Sequence, residues 1–487
     1  MSDSIKLMPL IEGRSTDSTA KNTFEVVNPT NGKPLLSIPV GSEEDVNRAV
    51  ASARTAFDDG RWHQTPPSSR KEILHRFASL IEKEATALDA LDAEEMGKPI
   101  SVEFCNSIAA AGLMHFYAEA LDKLSGDVFN SDKHSFVTQQ RVPVGVVGAI
   151  VPWNFPAYCV VLKCAPALAA GNTLVLKPSE LSARSAIRLA QLALEAGIPP
   201  GVFNVVPGTG EIVGKALALH QQVDLITFTG STAVGRSIMQ YAGQSNLKRV
   251  MLECGGKSPH IVFDDGVDLD AAADAVTQLI LTNQGQICSA GTRLLVQDTI
   301  EEALLEKIAN RFKQVRIGNP LDPKTTFGPL ATAKQYARVM HYIDIGRDSG
   351  AKLITGGGGA LADTDGYFVE PTLFQGVKAD APLAQEEIFG PVLSSITFRD
   401  EDEAIRIANN TDYALAAYAW TTNLNRGMRL ASEIRSSVSI YSNKPSGEGA
   451  GHAASYEPTG QSGFGAESGI AGMESYLRRK TASFNYG

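Results

Sequence analysis

Between Val142 and Thr232 the chain repeats one pattern several times, and few folds can satisfy it. Val142-Pro143-Val144-Gly145-Val146-Val147-Gly148-Ala149-Ile150-Val151 is an almost unbroken apolar run. Such a run suits a strand covered on both faces. A helical stretch, Tyr158 to Ala170, follows and is closed by Gly171-Asn172. Thr173 to Lys177 is the next apolar strand, stopped by Pro178, and Ser182 to Ala196 the next helix, stopped by Gly197. Phe203 to Val206 and Leu225 to Phe228 repeat the strand pattern, with a helix through Leu217 between them. Strands alternating with helices of this length predict parallel βαβ units and an open doubly wound sheet, an α/β fold. Ligands of such sheets bind beyond the carboxyl ends of the strands. Lys177, Glu180, Gly230 and Ser231 fall there.

A second α/β run follows, with a strand at Pro259 to Phe263 and a helix at Ala271 to Leu281. A chain of 487 residues exceeds one compact core and calls for two or three domains. Before the first run, Ser42-Glu43-Glu44-Asp45 opens a helix as a capping box. Helical patterns also cover Arg70 to Glu94 and Phe104 to Leu124. Glu94, Glu95 and Lys98 read as solvated or capping charges. Ser442 to Gly469, rich in Gly, Ser, Pro and Ala, reads as a long loop, and such loops are usually functional.

Charge and composition exclude several roles. The formal net charge is −10, so no basic field is available for nucleic acid. No run of about 18 apolar residues occurs, which argues against a membrane span. The first residues have no secretory pattern. Five cysteines, scattered and odd in number, form neither CxxC pairs nor a disulfide framework. The expectation is a reducing, cytoplasmic setting. The eight histidines show no metal-ligand spacing, so no metal is expected.

Several residues carry chemistry in their own right. Cys288 lies in the Gly-rich polar turn Thr282 to Arg293, where a thiol is presented at a cleft; alone, it reads more readily as a small buried hydrophobe. Glu253, at the end of the apolar Val250-Met251-Leu252 and before Gly255-Gly256, is a carboxylate with little bulk around it. Asn154, between Trp153 and Phe155 and flanked by Pro152 and Pro156, suits an oxyanion donor. Gly230-Ser231 opens a helix after a strand; it reads as a phosphate cradle or as a plain turn equally well. Lys177 and Glu180 suit a ribose, and a glutamate there would repel a 2′-phosphate.

Taken together, the motifs resemble the aldehyde dehydrogenase superfamily. Leu252-Glu253-Cys254-Gly255-Gly256-Lys257-Ser258-Pro259 is similar to its glutamate signature, and Asn283-Gln284-Gly285-Gln286-Ile287-Cys288 to its cysteine signature. Pro152-Trp153-Asn154-Phe155-Pro156, Lys177-Pro178-Ser179-Glu180, Phe228-Thr229-Gly230-Ser231 and Glu386-Glu387-Ile388-Phe389-Gly390-Pro391 follow in family order. The resemblance covers nearly the whole chain. It implies NAD-dependent oxidation of a small-molecule aldehyde to an acid, with NADP as the alternative cofactor. Cys288 would be the nucleophile, Glu253 the base for thioester hydrolysis, and Asn154 the oxyanion donor. Lys177 is placed in both the catalytic and the cofactor set. Pro152, Trp153, Ser179, Glu180, Gly230, Ser231, Gly255, Glu387 and Phe389 complete the cofactor set.

The resemblance also implies an architecture: residues 1–122 and 144–253 as dinucleotide-binding domain and 254–455 as catalytic domain. Residues 123–143 and 470–487 would form an oligomerisation element, and 456–469 a loop at the substrate entrance. The hairpin near Lys123–Pro143 would pair with the tail of another subunit, giving a homodimer or homotetramer. One departure stands out. Many members carry Pro-Phe-Gly-Gly-x-Lys-x-Ser-Gly late in the chain, where this one has Pro458-Thr459-Gly460-Gln461-Ser462-Gly463. Tyr158 and Phe464 are the substrate candidates, with His115, Phe116 and Tyr441 as further funnel residues. Their aromatic character points to an apolar or aromatic aldehyde; a semialdehyde or aminoaldehyde, or a non-catalytic binding protein on the same fold, are the alternatives.

Overall fold

The computed structural model describes residues 8–20, 22–443 and 451–486. The α/β alternation forms a first sheet whose parallel strands lie in the spatial order Phe203–Val205, Thr173–Lys177, Val146–Ile150, Leu225–Thr229, Arg249–Glu253. Val146–Ile150 and Thr173–Lys177 are buried along their whole length, as their unbroken apolar runs require. The chain builds outward to one side of Val146–Ile150, then returns to build on the other. That reversal is a switch point, where a crevice opens beyond the strand ends. Short antiparallel strands close both edges: Leu10–Ile11 on Phe203–Val205, and Gly463–Phe464 on Arg249–Glu253.

The second sheet has the order Lys352–Thr355, Thr372–Gln375, Val392–Phe398, Arg293–Gln297, Pro259–Val262, Ala416–Trp420, Ser437–Tyr441. Only Lys352–Thr355 runs antiparallel. The chain passes from the first sheet to the second across Cys254–Ser258.

A third, antiparallel sheet joins Asp127–Phe129, Ser135–Pro143 and Leu477–Asn485. Here the expectation is corrected. The tail pairs with the hairpin of its own chain, from Leu477↔Pro143 to Asn485↔Ser135. Its entry point fixes this: Tyr476 O accepts from Val144 N–H at 3.2 Å and from Asn172 Nδ2 at 3.0 Å, which delivers the tail beside Pro143. Phe129, Phe136 and Phe484 remain exposed on this sheet.

Two further expectations change. The helix expected from Phe104 spans Ser107–Ala120, because Asn106 caps it by accepting from Ala109 N–H at 2.9 Å. Glu95 and Lys98 are buried, not solvated. The helix Pro67–Met96 is covered by Ser107–Ala120 and Arg184–Ala196, so its last turn lies inside. Burial pushes the Glu95 carboxyl up to about 8, and Arg184, paired with it at 3.1 Å, opposes the rise. Among the described residues no helix is long and apolar enough to cross a membrane.

Candidate active site

Cys288 sits at the end of a distorted turn. Thr282–Gly285 forms a 3-10 turn in which Asn283 and Gln284 both have left-handed backbone (φ 48° and 56°). Such strain persists only where surroundings enforce it. Gln286 supplies that enforcement: its Nε2 donates to Asn283 O at 3.1 Å, and its Oε1 accepts from Ala331 N–H at 3.0 Å. The turn thus presents a half-buried thiol. Burial pushes the Cys288 thiol up to about 12, the Glu253 and Glu387 charges add to the rise, and the Ser289 and Cys288 N–H groups oppose it. At rest the thiol is protonated, and a base or a nearby positive charge must release it.

Asn154 is locked to the same turn. Its Nδ2 donates to Gln286 O at 2.9 Å, and its carbonyl accepts from Asn283 Nδ2 at 2.7 Å. The amide keeps a second hydrogen to offer an oxyanion. Asn154 follows a strand of the first sheet and Cys288 precedes one of the second; these bonds bring them together.

Glu253 ends the last parallel strand of the first sheet and is buried. Burial pushes its carboxyl up to about 8, Lys163 opposes the rise, and Glu457 adds to it. Its Oε1 has no hydrogen-bond partner. A buried carboxyl with a free oxygen and an affinity for protons near neutrality is suited to general-base work.

Two glycines allow the close approach of these groups. A Cβ at Gly256 would lie 2.2 Å from the Cys288 carbonyl oxygen, and one at Gly255 would lie 2.5 Å from a Glu387 oxygen. Gly256 N–H donates to Glu387 Oε1 at 3.1 Å. The Glu386–Pro391 segment is braced by Gln335, whose Nε2 donates to Ile388 O and Phe389 O at 3.0 and 2.7 Å. Phe389 meets Trp153 edge-on at 5.4 Å. Pro152 and Trp153 are half-buried at the same strand end.

The crevice at the switch point carries the remaining expected residues. Lys177 is buried and donates to Glu180 Oε2 at 2.9 Å, while Glu180 keeps an exposed face. Ser179 is buried beside them. Gly230 and the exposed Ser231 start the helix Thr232–Gln244, with Ser231 as its cap. A carboxylate for a diol and a helix start for a diphosphate lie along one crevice. The free N–H groups of that helix start and the Glu387 carboxylate at the other end fit a dinucleotide.

The substrate candidates separate. Tyr158 is half-buried, packs against the first-sheet core and lies one helical turn after Asn154. Phe464 is turned away. It pairs with Leu252, so it shares the face of Leu252 and not that of Glu253. Leu252 and Cys254 lie against Gly235 of the helix Thr232–Gln244, on the side away from the thiol. His115 bonds His75 at 2.8 Å and reaches Glu82 at 3.4 Å. Tyr441 packs on Trp420 at 5.1 Å in the second sheet. Phe116 faces His452 at 6.3 Å. Of the Ser442–Tyr456 loop, residues 444–450 lie outside the described residues.

Three residues near the thiol were not expected. Lys163, on the helix Pro156–Ala169, forms a buried ion pair with Glu467. Burial lowers Lys163 to about 8, and the Glu253 charge is the largest opposing influence. Tyr456 OH donates to Glu467 Oε2 at 3.1 Å, and Tyr456 lies within electrostatic range of Glu253 and Cys288. A signal for Lys163 existed: it is the one charge in the apolar run Tyr158–Ala170, and lysine is seldom buried unpaired. Glu467, beyond a Gly-rich stretch, gave none.

Comparison with known proteins fits this geometry. The model of the aldehyde dehydrogenase family matches residues 15–482. The chain is 41% identical to the NADP/NAD-dependent aldehyde dehydrogenase PuuC of Escherichia coli, over 97% of this chain and 94% of that protein. It is similar to the crystal structure of an indole-3-acetaldehyde dehydrogenase with NAD+ (TM-score 0.96, 44% identity, 99% and 97% of the two chains). It is also similar to a γ-glutamyl-γ-aminobutyraldehyde dehydrogenase from Burkholderia cenocepacia (TM-score 0.95, 47% identity, 99% and 97%).

Proposed function

The chain belongs to the aldehyde dehydrogenase family, and from that premise we propose that it oxidises an apolar or aromatic aldehyde to the carboxylic acid with NAD. The observation that carries the reading is the convergence of Cys288, Asn154 and Glu253 on one cleft, with Glu253 buried and one of its oxygens unpartnered. Cys288 attacks the aldehyde carbon as thiolate, forming a C–S bond. The oxyanion is met by the Asn154 amide and the Cys288 N–H. The chemistry NAD supplies when bound is hydride acceptance, which converts the hemithioacetal on Cys288 into a thioester. Glu253 then takes a proton from water as that water attacks the thioester, and the acid leaves as the Cys288 sulfur departs.

The cofactor residues are Pro152, Trp153, Lys177, Ser179, Glu180, Gly230, Ser231, Gly255, Glu387 and Phe389. Glu180 at the ribose position supports NAD over NADP, since its charge repels a 2′-phosphate. PuuC is described as using both, so the preference is a ratio to be measured. The neighbour acting on indole-3-acetaldehyde supports the aromatic class. An aminoaldehyde is the second reading: Glu457 follows Tyr456 at the surface, its charge is felt at Glu253, and the Burkholderia neighbour acts on an aminobutyraldehyde derivative. The exposed phenylalanines on the third sheet support a homodimer or homotetramer, and the five free cysteines support a cytoplasmic setting. The domain reading keeps 1–122 with 144–253 for the dinucleotide, 254–455 for catalysis, 123–143 and 470–487 as bridging element and 456–469 as the loop at the substrate entrance; the passage between sheets after Glu253 supports its central boundary.

A panel of aldehydes with NAD and with NADP tests the reading. NADH should form with aromatic and apolar aldehydes, and Cys288→Ala should abolish it. Turnover that survives this substitution, or none with any aldehyde, overturns it.

A further inference from the structure

The segment Thr459–Phe464 touches both halves of the molecule. Gly463 and Phe464 pair with Glu253 and Leu252 at the edge of the first sheet, while Thr459 and Gly460 pair with Ala414 and Tyr413 of the second half. Between these rungs Ser462 is fully buried (0% exposed). Its hydroxyl donates to Gly255 O at 2.7 Å and accepts from Ala414 N–H at 3.0 Å. Its carbonyl accepts from Cys254 N–H at 2.8 Å. One small side chain therefore ties the point where the chain crosses between sheets to the second half. On one side of the crossing stands Glu253. On the other stands Gly256, whose N–H holds Glu387 and whose α-carbon lies against the Cys288 carbonyl.

We propose that Ser462 is a positioning residue: its hydroxyl fixes the crossing Glu253–Gly256 and so sets where the Glu253 carboxylate stands relative to the acyl group on Cys288. The inference rests on the reaction proposed above. Cys288 and Asn154 are held by other bonds, through Gln286 and Asn283. Loosening the crossing therefore acts on hydrolysis and spares the attack on the aldehyde. Misplacement of a reacting group by about 1 Å costs on the order of a hundredfold. Deleting the hydroxyl also leaves Gly255 O and Ala414 N–H without this buried partner.

The test is Ser462→Ala in the full-length protein with saturating NAD and aldehyde, followed by stopped flow from pH 6 to 10. The steady-state rate should fall about ten- to a hundredfold, while a burst approaching one NADH per site forms at close to the wild-type rate. The pH midpoint of the steady-state rate should also move. Gln461→Ala is the comparison: it removes the Gln461 Nε2 to Asp412 Oδ2 bond (2.8 Å) from the same segment without touching the crossing. It should keep the wild-type rate, burst and midpoint. If Ser462→Ala does not fold, the near-isosteric Ser462→Cys, a weaker donor, should change the same quantities in the same direction. The proposal is overturned if rate and midpoint stay at wild-type values, if burst and steady state slow alike, or if Gln461→Ala reproduces the effect. A wild-type protein without turnover, or turnover surviving Cys288→Ala, would instead sink the reaction itself.

Discussion

The turn Thr282–Thr292 and the segment Tyr456–Glu467 converge on the same cleft by opposite means. The turn carries its chemistry in its own residues: a thiol, a Gly-rich neighbourhood, and the amides of Asn283 and Gln286 that brace it from within. The late segment has little chemistry of its own. Tyr456 and Glu467 bond each other within it, but its links to the site run through distant partners: Glu467 through Lys163, Ser462 through Gly255 and Ala414, and Gly463 through Glu253. Local elements of a site can be changed with local consequences. Elements assembled from afar couple activity to the integrity of the whole fold.

The sharpest probe of this contrast is Cys288→Ala. Activity should fall by about 10⁴-fold or more, with a melting temperature close to wild type, because the substitution removes a single heavy atom beyond Cβ. A large stability loss would break the contrast on the turn's side.

Glu253 stands between the two, and Glu253→Gln should lower the steady-state rate by about 10²–10⁴-fold. The sign of the pH dependence follows from burial. The carboxyl is raised to about 8, so it is protonated and inactive as a base below that value. The wild-type hydrolytic rate should climb as pH rises through about 8, and Glu253→Gln should flatten that climb in a thioester hydrolysis assay. A climb that persists unchanged would remove Glu253 as the base.

Lys163→Met strands the Glu467 carboxylate in the interior. It should cost about 3–5 kcal/mol of stability, the usual penalty for breaking a buried pair from one side. The double change Lys163→Met with Glu467→Leu should recover much of it. Denaturant unfolding distinguishes this from a local effect: a single variant as stable as wild type would mean that the late segment is as self-contained as the turn.

The smallest effect is expected at Phe464. It shares the face of Leu252 against the helix Thr232–Gln244, so Phe464→Ala should change the ratio of kcat/KM between an aromatic and an aliphatic aldehyde by less than about threefold. Tyr456→Ala should change it more. The reverse ranking would restore Phe464 to the substrate path.

The contrast also explains what could be read from the chain alone. The strands of the first sheet were legible because burial on both faces leaves an uninterrupted apolar run, as in Thr173–Lys177. Cys288, Glu253 and Asn154 stood out as candidates because each sits in a compact motif of glycines, prolines and amides that constrains it locally. Phe464 was placed on the substrate side because the rung Gly463–Phe464 is only two residues long, and period-two alternation over two residues does not show which face a side chain takes. Glu95 was misjudged since nothing within the helix Pro67–Met96 records that Arg184 arrives from a later helix. The tail's partner was misjudged because an edge strand looks the same whether its neighbour belongs to its own chain or another.

The pair Lys163–Glu467 spans 304 residues, and this distance has a meaning for synthesis. At about 5–20 residues per second, roughly 15–60 s separate the emergence of the lysine from that of its carboxylate. During that interval the nascent helix Pro156–Ala169 carries an ammonium that its final burial cannot tolerate alone. The first sheet can form early, but its packing around Lys163 must stay open until the last part of the chain arrives. A polypeptide interrupted before residue 467 would thus hold Cys288, Asn154 and Glu253 in their proper order along the sequence and still present an unfinished interior to the quality-control machinery of the cell.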